Sequence, residues 1–171
     1  LPKIDIRPAG AEEATALTRL CLRSKAHWGY DAAFMAQAEL GLTVGADQIA
    51  AGDVFVAIDD SGQVLGVHAL AIEGAIADLD KLFVEPAAIG RGVGASLFRH
   101  AVGVAASRGC ELMTILSDPN AASFYERMGA GFVAMAPSDA IPGRELPLYH
   151  MRLRGAETPC GPALPVPQSG Q

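Results

Sequence analysis

Cysteine is scarce in this chain: three residues, Cys21, Cys110 and Cys160, odd in number and far apart. They form no CxxC pair and no Cys/His cluster, which excludes a disulfide framework and leaves no metal signature. The expectation is a reducing, cytoplasmic setting. None stands beside a histidine, so a covalent cysteine mechanism is not expected. Basic charge is also short. Thirteen Lys and Arg against 19 Asp and Glu give a formal net charge of -6. That excludes a non-specific nucleic-acid binder, which needs a basic face to displace counterions from phosphates. No apolar run is long enough to span a bilayer, so no membrane partner is expected. Residues Leu1 to Asp5 carry no apolar signal-peptide stretch. Aromatic residues are only 6% of the chain.

Apolar residues, by contrast, make up half of the 171 positions, enough for the core of one domain. Residues 1–154 read as that domain. Residues 155–171 hold four prolines and three glycines and read as a flexible tail. Alternation over Lys3 to Arg7 predicts an edge strand. Ala14, Leu17, Leu20, Cys21 and Ser24 repeat at helical spacing. Asp31 is placed to cap a second helix reaching Leu40, with Gly41 and Gly45 as breaks and a short helix over Asp47 to Ala51. Three strands follow: Asp53 to Asp59, Gln63 to Glu73 and Ala75 to Val84. A helix spans Val93 to Ser107, and a strand spans Leu112 to Leu116. Asp118-Pro119-Asn120 opens a helix ending at Met128. Phe132 to Met135 and Leu148 to Leu153 are the last strands. The order predicts a mixed α/β domain.

One segment carries chemistry at once. Ile89-Gly90-Arg91-Gly92-Val93-Gly94-Ala95 lies where a strand ends and a helix begins. The first amides of a helix lack partners inside it and carry partial positive charge. Glycines let a diphosphate approach them closely, and Arg91 adds a formal charge. A nucleoside-triphosphatase loop would end Gly-Lys-Ser/Thr, and here Ala95-Ser96 follows Gly94. A dinucleotide fold would want an acidic residue after the next strand, where Asp118 stands, but its loop usually follows the first strand of the domain.

The residues around the loop resemble the GNAT superfamily of acyl-CoA-dependent N-acyltransferases. Leu82-Phe83-Val84-Glu85-Pro86 followed by Gly90-Arg91-Gly92-Val93-Gly94-Ala95 is similar to the family's coenzyme motif. Asn120-Ala121-Ala122-Ser123-Phe124-Tyr125-Glu126-Arg127-Met128-Gly129 is similar to its second motif, and Ile6-Arg7-Pro8-Ala9 to its first strand. There are two departures. Ile89 stands where the family usually has Gln or Arg, and Gly129-Ala130-Gly131-Phe132 replaces a Gly-Phe pair. The resemblance implies a central, mostly antiparallel sheet with splayed middle strands, flanked by helices. It implies acetyl-CoA as co-substrate and no metal. Backbone groups of Leu82, Phe83 and Val84 would pair with the pantetheine arm, the loop residues would hold the diphosphate, and Ser123 is a further coenzyme-binding candidate; Asn120 reads as a helix cap alone or as a cap that also touches the arm.

Transfer to an amine needs an acid for the leaving thiolate and a base for the incoming ammonium. Tyr125 is the expected acid, since a phenol of pKa about 10 holds a proton at neutral pH; packing in the core is its other reading. Glu73, Asp78 and Asp80 are the candidate bases, with Asp80 nearest the motif. Regular alternation would put Asp78, Asp80 and Leu82 on one face; solvent-facing carboxylates are the other reading. The aromatics concentrate at Lys25-Ala26-His27-Trp28-Gly29-Tyr30. His27, Trp28 and Tyr30 are candidate walls of an acceptor pocket, or anchors of their loop. Arg144 is a candidate for an acceptor carboxylate, or a solvent-facing cation. His68, His100 and His150 show no ligand spacing. The expected partner is a small-molecule or peptide amine, in a homodimer. A non-catalytic acyl-CoA-binding module is the alternative.

Overall fold

The apolar stripe Leu17, Leu20, Cys21 and Ser24 is the buried face of α1 (Ala14–Ala26), as its spacing requires. In this computed structural model residues 3–154 are described; the tail 155–171, with Cys160, lies outside the described residues. β1 (Asp5–Pro8) precedes α1. α2 (Ala32–Leu42) begins where Asp31 accepts a hydrogen bond from the Phe34 amide at 2.8 Å. It runs through Gly41 rather than stopping at Leu40. A Cβ at Gly41 would meet Ala140 at 3.4 Å, so the helix passes close beneath the 138–144 loop there. α3 (Ala46–Ala50) leads into the strands β2 (Val54–Ile58), β3 (Val64–Glu73) and β4 (Ile76–Val84). After α4 (Val93–Ser107) come β5 (Leu112–Leu116), α5 (Ala122–Arg127), β6 (Gly131–Pro137) and β7 (Glu145–Arg152).

The seven strands form one sheet in the order β1-β2-β3-β4-β5-β7-β6. Every neighbouring pair is antiparallel except β4 and β5. A parallel pair needs a crossover, and α4 supplies it. α4 buries Val93, Leu97, Phe98, Ala101 and Ala105 against one face of the sheet. Each large apolar side chain buried there contributes about 1.5–3 kcal/mol. α1 and α2 cover the opposite face, against Val54, Val56, Val67 and Ala69.

β4 is not regular. Ala69 pairs with Lys81 but Leu70 pairs with Leu79, which leaves Asp80 as the extra residue of a bulge. Leu79 and Leu82 consequently both pack on the α4 side, while Phe83 packs on the α1 side. The expected single face for Asp78, Asp80 and Leu82 is therefore corrected: the bulge turns Leu82 to the other side.

Candidate active-site cleft

β4 and β5 pair only over Ile76–Asp78 and Leu112–Thr114. Beyond that point they separate. Residues 79–84 stay bonded to β3 on one side and leave their other backbone edge free. Thr114 Oγ1 donates to Asp78 Oδ1 at 2.7 Å at the fork. Burial raises the Asp78 carboxyl above its usual range, against the hydrogen bond from Thr114. The fork opens a cleft of about 700 Å³.

Leu82, Phe83, Val84, Gly90, Gly92, Gly94, Ala95, Asn120, Ser123 and Tyr125 all line this cleft. Gly90 and Gly92 have φ of 80° and 81°, the left-handed region that only glycine adopts cheaply. Gly92 caps α4, and the first helical bond runs from the Ser96 amide to the Gly92 carbonyl at 3.1 Å. The amides of Val93, Gly94 and Ala95 are thus the partnerless first turn of a 15-residue helix. Val93 is 1% exposed and packs in the core, outside the cleft lining. Ile89 lines the cleft and is 43% exposed; the Arg91 side chain is exposed and outside the lining. These features fit a diphosphate with a strand-like arm behind it.

Tyr125 is 6% exposed and sits edge-on to Phe98 and Phe124 at 5.8 and 5.1 Å. Burial pushes its phenol above the ordinary tyrosine value, and the Asp118 carboxylate adds to the rise. The second departure in the motif has a packing consequence. Ala130 takes the buried place after α5, its amide bonded to the Tyr125 carbonyl at 3.0 Å, and Phe132 falls two residues later, 56% exposed on β6.

With Asp78 tied to Thr114 at the fork, the other two candidate bases separate. Asp80 lines the cleft, and its Oδ2 accepts from Gln48 Nε2 at 3.0 Å and Lys81 Nζ at 2.7 Å. Its Oδ1 accepts no hydrogen bond from the described residues. Glu73 is exposed at the β3–β4 hairpin, opposite Ile76, and is not brought into the cleft. Of the acceptor candidates, Trp28 lines the cleft at 45% exposure. His27 is exposed and touches Trp28 edge-on at 5.6 Å.

Tyr30 and Arg144 join a cluster that sequence spacing did not disclose. Its centre is Asp118. Lys25 Nζ and Tyr30 Oη, the latter at 2.8 Å, donate to its Oδ2. The Asn120 amide and side chain donate to Oδ1 at 2.8 and 2.9 Å. Burial alone would raise this carboxyl, but the donors from Lys25, Asn120 and Tyr30 hold it below its usual value. Arg144 Nη2 donates to Tyr30 Oη at 2.8 Å and stands 3.6 Å from Asp118. Lys25 and Asp118 line the cleft. They are 93 positions apart, so only the density of polar and aromatic residues at 25–30 hinted at a site.

The profile of the family described as "Acetyltransferase (GNAT) domain" matches residues 50–129. Comparison with curated protein sequences finds no match. Among solved structures, the chain is similar to the PaiA N-acetyltransferase of Thermoplasma acidophilum in complex with coenzyme A. The identity is 15%, the TM-score 0.72, and 88% of this chain and 99% of that one are covered. It is similar to YjaB of Escherichia coli, in its apo form, at 25% identity and TM-score 0.63, with 90% and 99% covered. A GNAT-family acetyltransferase of Staphylococcus aureus gives 14% identity and TM-score 0.68, with 89% and 100% covered.

Proposed function

We propose a function from one premise: the chain belongs to the GNAT superfamily of acetyltransferases. Its co-substrate is then acetyl-CoA. The finer reading is transfer of the acetyl group to a primary amine, free or in a peptide, by direct attack with both substrates bound. One observation carries it: the free edge of β4, the amides opening α4, Tyr125 and Asp80 face a single cleft.

The backbone of Leu82, Phe83 and Val84 pairs with the pantetheine amides, as an added strand would. The amides of Val93, Gly94 and Ala95 hold the diphosphate, with Gly90 and Gly92 clearing its approach. Asp80 takes the ammonium proton through its free Oδ1, directly or through water, while Gln48 and Lys81 fix its orientation. The neutral amine then attacks the thioester carbonyl, with proximity supplying much of the acceleration. Tyr125 donates its phenolic hydrogen to the departing sulfur, and the proton that the new amide nitrogen loses returns to the tyrosine oxygen, directly or through water. Asp118 is a poor base, because four donors occupy its two oxygens. Glu73, outside the cleft, has no part.

We place the enzyme in the cytoplasm, where the buried free thiols of Cys21 and Cys110 remain reduced. We assign it a homodimer through β6, an edge strand with exposed Phe132, Val133 and Met135. Calorimetric titration with acetyl-CoA and with NAD, followed by thiol release across an amine panel, tests the central reading. Acetyl-CoA binding with amine-dependent thiol release is expected. Binding of NAD in its place would sink it, and acetyl-CoA binding without release would leave a non-catalytic module.

A further inference from the structure

We infer that the acceptor is an amine that also carries a carboxylate, and that Lys25 and Arg144 receive that carboxylate. This rests on the acetyl-transfer reading above and adds the substrate class. A cluster bordering the cleft holds two cations around one carboxylate, Asp118: Lys25, which with Asp118 lines the cleft, and Arg144, which lies outside the lining and donates to Tyr30. The surplus is one positive charge. Both side chains are largely shielded, at 13% and 19% exposure, so the surplus is poorly compensated by water.

Donor capacity is left over as well. An ammonium offers three hydrogens and a guanidinium five. Among the described residues, Lys25 spends one on Asp118 and Arg144 one on Tyr30. Asp118 cannot absorb more, since both of its oxygens already accept two hydrogen bonds. The cations are held in place by rings rather than by further acids. Tyr30 and Phe34 stack at 4.0 Å. Lys25 Nζ lies 5.2 Å from the Tyr30 centroid, and the Arg144 guanidinium lies 4.8 Å from that of Phe34. An aromatic backing fixes a cation without neutralising it, which leaves charge and hydrogen bonds for an incoming anion.

The same cleft offers Asp80, with one oxygen free, to the ammonium. A cleft with the Asp80 carboxylate on its lining and a surplus positive charge around Lys25 at its border matches an amine that bears its own carboxylate. A neutral amine or an amide matches only the first half.

The test uses matched acceptors with acetyl-CoA: an α-amino acid, its amide, its decarboxylated amine, a short peptide with a free C-terminal carboxylate, and an ω-amino acid. Thiol release gives kcat/KM, and calorimetry on the CoA-bound enzyme gives affinity. Carboxylated members are expected to exceed their amides by on the order of tenfold or more. In Arg144→Met and Lys25→Met the acid-to-amide ratio should fall by a similar factor, through KM, with Arg144→Lys retaining part of it. The preferred member separates a free amino acid from a peptide terminus. Amides or plain amines turned over or bound as well as the acids would overturn the inference. So would an acid-to-amide ratio unmoved in both variants, with folding checked by circular dichroism. Selective binding of the acids without turnover would refute acetyl transfer and leave the carboxylate site standing.

Discussion

Tyr125 carries the sharpest residue-scale claim. It lines the cleft, and burial with the Asp118 carboxylate nearby keeps its proton on. Tyr125→Phe removes the hydrogen and little else. Its kcat should drop on the order of 10²-fold or more, with acetyl-CoA affinity by calorimetry within a few-fold. Since the acid works protonated and its pKa is raised, kcat should not fall on the alkaline side until above about pH 10. An alkaline limb near neutrality that persists in Tyr125→Phe would assign the acid elsewhere. A second residue-scale prediction concerns stability. His68 is fully buried between Phe55 and His100, with Nε2 2.9 Å from His100 Nδ1 and Nδ1 without a partner among the described residues. Burial pulls its pKa from 6.5 down to about 3, and burial lowers His100 too. Above pH 6.5 neither folded nor unfolded chain is protonated at His68. Below it the unfolded chain takes a proton that the folded one refuses, so stability falls as pH falls toward about 3. The slope approaches about 1.4 kcal/mol per pH unit for the one histidine. Urea unfolding at pH 6.5, 6 and 5, above the carboxylate range, measures it. A flat profile, or a slope as steep in His68→Gln as in the parent, would refute the assignment, since His100 accounts for a smaller remainder.

At the scale of elements, the coenzyme loop depends on how closely α4 lies on the sheet. Gly66 of β3 sets that distance. A Cβ there would stand 2.8 Å from Leu97 Cδ1, 2.8 Å from the Phe83 carbonyl oxygen and 3.2 Å from Val93 Cγ1. The leucine end can give, but the backbone oxygen cannot without moving β4. Gly66→Ala is therefore expected to cost about 1–3 kcal/mol, lowering the melting temperature in calorimetry. It should also raise the KM for acetyl-CoA, because Phe83 and Val93 belong to the two elements proposed to hold the coenzyme. A variant as stable as the parent would show that the layers tolerate the methyl group. The bulge at Asp80 is the other element-scale device. It sets Asp80 beside Lys81 and Gln48 while Leu82 packs under α4, so one strand carries both the proposed base and the edge proposed for the arm.

At the scale of the whole molecule, the sheet ends in two unlike edges. β1 exposes Asp5 and is backed by the Arg7–Glu13 pair, charges that discourage strand addition. β6 exposes Phe132, Val133 and Met135, an edge with apolar side chains in water. That contrast makes β6 the edge through which we propose a dimer. Sedimentation equilibrium should give a dimer at micromolar concentration, and Val133→Lys should give a monomer with unchanged circular dichroism. A monomeric parent would remove the assembly. No helix among the described residues is long and apolar enough to cross a membrane.

What the chain settled by itself was local. Helical spacing placed α1 and α4, Asp31 and Gly92 marked helix starts, and Gly90 to Ala95 with Asn120 to Tyr125 pointed to the coenzyme. These signals lie within a few residues of one another, where backbone preference and short-range hydrogen bonds decide the outcome. The acceptor side was not legible in that way. Lys25, Asp118 and Arg144 come from three distant segments, and the bulge at Asp80 arises from pairing with β3. Only the folded sheet brings Lys25, Asp80 and Asp118 to one cleft, with Arg144 against Asp118 and Tyr30 at its border. It also turned Glu73 out to the hairpin, because strand register and face are properties of pairing, which no single strand encodes.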